Sequence, residues 1–79
     1  MDIKELVNRI IVDPEIMVGK PTIRGTRITV QNILTLLAQG ISQQEILEDY
    51  PKLKEVDIRA CLAYASKALE DSTFMPLNK

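Results

Sequence analysis

Residues Gly19 to Val30 read GKPTIRGTRITV, and the chain changes character there. The stretch holds two of the three glycines, three cations (Lys20, Arg24, Arg27) and no acid. Pro21 fixes φ and donates no backbone hydrogen bond, while Gly25 admits a positive φ. Thr22 to Thr26 therefore reads as a short extended piece followed by a tight turn. The β-branched run Ile28-Thr29-Val30 then hands over to helical periodicity. The stretch is a junction between a small sheet and a helical unit, with Gly19, Pro21, Gly25 and Thr26 as its structural positions.

Upstream, Asp2 and Glu5 have the spacing of a capping box, and Ile3, Leu6, Val7 and Ile10 keep helical spacing, so a short helix is predicted over residues 3–8. Arg9 to Val12 reads as a strand ended by Asp13-Pro14, because the residue before proline is pushed to extended geometry. Its natural partner is Thr26 to Thr29, in an antiparallel pair that must pack on helices to be stable.

Downstream the same start signal occurs three times. Thr29, Ser42 and Lys54 are the N-cap positions, each flanked by apolar residues before and four after: Ile28 with Ile33, Ile41 with Ile46, Leu53 with Ile58. Helices are predicted over 30–39, stopped by Gly40; over 43–49, stopped by Pro51; and over 55–70. The fold class is mainly α: a small antiparallel β pair followed by a three-helix unit of the helix-turn-helix type, homeodomain-like or winged-helix-like. Residues 1–79 form a single domain, with 1–29 the N-terminal helix and β pair, 30–71 the three-helix unit and 72–79 a tail.

Three pieces of this chain carry a family pattern: Val12-Asp13-Pro14-Glu15-Ile16, the GKPTIRGTRITV stretch, and the segment ILTLLAQGISQQEILEDYPKLKEVDIRACLAYA. Over roughly residues 9–66 the chain resembles the domain-of-unknown-function family 433, also described as a VapB-like antitoxin family. The resemblance implies a small helix-turn-helix protein, many members being encoded beside a PIN-like nuclease toxin. Two positions depart from the pattern: Val18 stands where many members carry a small residue, and Lys54 where Ser or Thr often caps the last helix.

Seventy-nine residues bury only about 60 to 65% of the unfolded surface, and stability at this size usually needs a supplement. One cysteine makes no internal disulfide and the absence of histidine removes the usual zinc ligands, so self-association is the expected supplement and a homodimer the expected state. No apolar run reaches the ~20 residues of a membrane span, and the first residues are no signal sequence. The reading is a cytoplasmic protein with no membrane partner.

Enzymatic readings lack parts. Without histidine there is no Ser-His or Cys-His pair, and Cys61 falls on the predicted core face. Pro21 occupies the Ser/Thr position of a P-loop and no helix starts there, which removes nucleotide binding. Glu45, Glu48 and Asp49 read as a solvated helix face. No catalytic residue, metal, cofactor or small-molecule substrate is expected.

Two sets of residues remain as candidate binding surfaces. The last helix carries a core stripe of Ile58, Cys61, Leu62, Ala65 and Leu69, and opposite it Val56, Ala60, Ala63, Tyr64 and Lys67. Because that second face is mostly small or apolar, it reads either as good helix formers or as a docking face for a second copy or a partner. Phe74, Met75 and Leu77 read either as a frayed end or as an extended anchor for the same partner. The cations Lys20, Arg24, Arg27, Lys52, Lys54 and Arg59 are the candidate contacts to DNA, with Arg27 alternatively paired to an acid such as Asp13. Glu55 and Asp57 suit a helix N-terminus better than they suit a phosphate backbone. The functional expectation is an antitoxin-like dimer that binds a PIN-like toxin and operator DNA, and the alternative is a protein-interaction module that binds no DNA.

Overall fold

The computed structural model describes residues 2–70, in the order α1 (Ile3–Val7), β1 (Ile10–Ile11), a 3-10 turn (Met17–Gly19), β2 (Thr22–Ile23), α2 (Val30–Ala38), α3 (Gln43–Asp49) and α4 (Glu55–Glu70). It is mainly helical with one two-stranded antiparallel sheet among the described residues, the class the sequence predicts.

Helices α1, α2 and α3 each start where a side chain can satisfy one of the first amides. Asp2 Oδ1 accepts from the Glu5 amide at 2.9 Å, and Thr29 Oγ1 accepts from the Asn32 amide at 3.0 Å. Ser42 and Glu45 close a full capping box, with the Glu45 amide donating to Ser42 Oγ at 3.1 Å. Such caps contribute about 1 kcal/mol each. The apolar residues four after the predicted caps, Ile33, Ile46 and Ile58, are all fully buried, and Leu53 is buried with them. Helix α2 ends at Gly40 (φ 88), where the Gly40 amide donates to Leu37 O at 3.0 Å and the Ile41 amide to Leu36 O at 3.1 Å. This is a Schellman ending, and only a residue tolerant of positive φ makes it cheaply.

The sheet differs from the expected pairing. Strand β1 pairs with β2, Ile10 opposite Ile23 and Ile11 opposite Thr22, and not with Thr26–Thr29. Residues 26–29 instead fold back on β2: Thr29 bridges to Thr22, and the Ile23 amide donates to Ile28 O at 2.9 Å. The Arg24-Gly25 turn, with Gly25 at φ 81, is tight enough to make Thr22–Thr29 its own hairpin, so the strand nearest the turn takes β1 as its second neighbour.

Helix α4 is the element on which α1, β1, α2 and α3 all pack. Ala60 and Ala63 are 0% and 5% exposed, in one buried cluster with Leu6 of α1 and Ile10 of β1. The expected docking face is thus covered by the chain's own N-terminal layer, and its alanines are the small residues that let that layer approach. Val56 and Tyr64 are half-buried and Lys67 is exposed. Leu62 and Leu69, assigned to the core stripe by periodicity, are 45% and 65% exposed. The reason is geometric: two layers meet α4 from different sides, and a single stripe cannot describe it. Phe74, Met75 and Leu77 lie outside the described residues.

Candidate nucleic-acid and partner surfaces

The six candidate cations are not one patch. Arg27 and Lys52, both exposed, line a shallow depression of ≈ 360 Å³ with Ile16, Gly25 and Thr26. The turn that aims Arg27 is fixed by Thr26, whose hydroxyl donates to Ile23 O at 2.8 Å and accepts from the Ile28 amide at 3.0 Å. Asp13, the alternative partner for Arg27, accepts from the Glu15 amide at 2.9 Å. The ion pairs among the described residues are Arg9–Asp57 and Lys67–Glu70, so Arg27 is paired with no carboxylate among them.

Arg24 is used differently. Its Nε and Nη2 donate to Asn8 O at 3.2 and 2.7 Å, tying the turn to the end of α1. It lines a separate cavity of ≈ 490 Å³ with Glu5, Asn8, Arg9 and Asp57. Lys20 is exposed just after the 3-10 turn, and Lys54 is exposed immediately before α4. Arg59 borders Ile3, Leu6 and Leu62 on the α1 side of α4.

Asp57 is the residue the sequence reading undervalued. It is 6% exposed; its Oδ1 accepts from Arg9 Nε at 2.8 Å and its Oδ2 from the Lys54 amide at 2.9 Å. Lys54 has no side-chain acceptor, so the acid three residues on supplies the reciprocal half of a capping box. An acid at that spacing behind an unsuitable cap residue was the available signal. With Asp57 turned inward and ion-paired with Arg9, the start of α4 presents Lys54, Glu55 and Arg59 outward.

Cys61 is fully buried, and burial, with a smaller contribution from the Asp57 charge, pushes its thiol up from about 9.0 to about 12. A thiol so placed is not a nucleophile near neutrality. Glu45 is engaged in the α3 cap, and Glu48 accepts from Gln44 Nε2 at 3.5 Å. Among the described residues no group of three or more acid or cysteine side chains is placed to hold a metal, and no helix is long and apolar enough to cross a membrane. The groove between α2 and the C-terminal half of α4, ≈ 560 Å³ and nearly all apolar, was not anticipated.

The family model described as "Protein of unknown function (DUF433)" matches residues 10–65, well over half of the chain. The chain belongs to the DUF433 family. A crystal structure of a DUF433 member from Anabaena variabilis is 32% identical and superposes with a TM-score of 0.75, covering 86% of this chain and 67% of that one. The uncharacterized protein y4eO of Sinorhizobium fredii is 38% identical over 52 residues, which are 66% of this chain. This DUF433 chain matches only 24% of that relative's length. The matched residues include the hairpin with Arg27, the α3–α4 turn with Lys52, and Asp57.

Proposed function

We propose that this DUF433 chain is a non-enzymatic, antitoxin-like adaptor of the cytoplasm, acting as a dimer that binds operator DNA and a PIN-like nuclease toxin. The observation that carries the DNA half is the meeting of Arg27 and Lys52 on one depression. Lys54 follows Lys52 by two residues, and Asp57, an acid that would repel phosphate there, is turned inward on Arg9. Two or three cations on a hairpin and a helix start contact a phosphate backbone without reading bases. Sequence preference then falls to Arg59 and to the shape of the duplex. The toxin partner comes from the family resemblance.

Gel retardation of the region upstream of the reading frame against random DNA tests the operator claim. Binding falls with salt at a slope near −0.9 per neutralised phosphate, so Arg27→Ala with Lys52→Ala lowers the slope by about 2. Equal retardation of both DNAs at low salt removes the claim. Co-expression with a neighbouring PIN-like nuclease, followed by purification, tests the toxin claim in the same way.

The α2–α4 groove favours a second reading, a protein-interaction module that keeps the fold without DNA binding. Exposed Glu45, Glu48 and Asp49 on α3 agree with it. A co-purifying partner together with no DNA affinity selects this reading.

A further inference from the structure

The apolar groove between α2 and α4 is lined by Val30 and Leu34 from the first helix and by Tyr64, Ala65, Ala68 and Leu69 from the second. Leu69 is 65% exposed, and Ala68 beside it is exposed too. Contiguous apolar surface of this kind on so small a chain marks a contact face.

Charge says what the contact is. In a chain with ten basic and eleven acidic residues, no residue from Ile28 to Gln44 is charged. That span includes all of α2, although Gln31, Asn32, Thr35 and Ala38 of this helix are exposed. Exposed helix faces ordinarily carry ions, so a whole uncharged helix beside an apolar groove is a selected surface. On the α4 side the nearby charges of Lys67 and Glu70 pair with each other at 3.5 Å. Among the described residues that line the groove none is charged, so a charged partner segment has no ion to pair with inside it. A second copy suits it, because a two-fold contact sets each patch against itself, where any net charge would be doubled and repelled.

We propose that the α2–α4 groove seats a second copy of this chain, α2 and α4 of each protomer forming a four-helix apolar layer. Ala65 and Ala68 let the helices approach closely, while Leu34 and Leu69 fill the opposing groove and Gln31 and Thr35 form the polar rim. The proposal rests on the dimer in the functional reading above and moves its interface from the Ala60–Ala63 face, which α1 covers, to the adjacent one. It also leaves Arg27 and Lys52, which line a different depression, outside the contact.

Sedimentation velocity of the full chain, from tens to hundreds of micromolar, tests it with two variants, Ala68→Arg and Leu69→Lys. The wild type is expected to be a dimer. Each variant is expected to keep the wild-type far-ultraviolet circular dichroism and to raise the dimer Kd on the order of 100-fold, the effect of burying one unpaired charge. A wild type that stays monomeric overturns the proposal, as does a dimer that survives both variants. So does a monomer that dimerises only once residues 71–79 are removed, since the groove would then belong to this chain's own end. The outcome is separable from the operator claim: a dimer without operator preference fails that claim alone, and operator binding by a wild-type monomer fails this proposal and the dimer it rests on while leaving the operator claim standing.

Discussion

Asp57 joins two parts of the chain that are far apart in sequence, accepting from Arg9 Nε at 2.8 Å with one oxygen and from the Lys54 amide at 2.9 Å with the other. The carboxylate is 8% exposed and the arginine 34% exposed, so the pair is sheltered on one side only. Removing the acid deletes a helix cap and leaves Arg9 without its partner; removing the arginine leaves a buried acid still held by one amide. Asp57→Ala is therefore expected to cost about 2 to 3 kcal/mol and Arg9→Ala about 1 to 2. Urea denaturation of both variants and of the double variant checks this. A coupling energy near zero would mean that the pair contributes nothing and that the cap alone accounts for the Asp57 effect.

The second prediction concerns the Gly-Thr-Arg-Ile element. The Thr26 hydroxyl both donates to Ile23 O and accepts from the Ile28 amide, closing the hairpin that carries Arg27. Thr26→Val keeps the shape and loses both bonds, at an expected cost of about 1 to 3 kcal/mol. Thr26→Ser keeps both and is expected to stay within about 0.5 kcal/mol of the wild type. If valine is as stable as serine, the hydroxyl is not what holds the turn.

Helix positions were legible because their signals are local. Ser42 with Glu45 and Gly40 beyond Ala38 act through neighbours along the chain, and α3 and α4 fall on the predicted bounds. The partner of β1 was not legible, because Thr22–Ile23 and Ile28–Thr29 are both β-branched pairs, and a tight turn at Arg24-Gly25 places them side by side. Helical periodicity likewise misassigned Ala60, Ala63, Leu62 and Leu69. It reports that α4 is apolar on more than one side but not which side the chain's own first helix takes. The capping half of Asp57's role is local, but its pairing with Arg9, 48 residues away, is encoded by no local pattern.

Val18 carries a third prediction. Met17, Val18 and Gly19 follow one another at φ 51, 57 and 80, and of the three Val18 is the β-branched one. The left-handed region costs an ordinary L-residue roughly 1 to 2 kcal/mol, and more when Cβ is branched. Its side chain is 92% exposed, so no packing is lost on removing it. Val18→Gly is expected to stabilise the chain by about 1 kcal/mol, the relief of strain exceeding the added freedom of the unfolded chain, and Val18→Asn to act in the same direction with smaller size. A fall in Tm for both would show that the turn does not sit at positive φ in solution.

The buried thiol gives stability a pH dependence of known sign. Burial first, and the Asp57 charge second, raise Cys61 from about 9.0 to about 12, so the folded protein holds the proton that the unfolded chain releases above pH 9.0. The contribution of the thiol is therefore whole below pH 9.0 and is lost as pH rises from there toward 12, by up to about 1.4 kcal/mol per unit. Cys61→Ala lacks this loss and starts from a penalty of about 1 kcal/mol for the smaller side chain in a filled core. Near neutrality the wild type is thus expected to be the more stable of the two. The difference shrinks above pH 9.0 and reverses about one unit higher, as other groups titrate alike in both proteins. Denaturation curves of the two at successive pH values read the crossing directly. A difference that stays constant from neutrality to pH 11 would mean that the folded thiol ionises as readily as the unfolded one, and that the site is open to water. Thiol reagents probe the same burial by another route: reaction at neutral pH is expected only at the rate of unfolding.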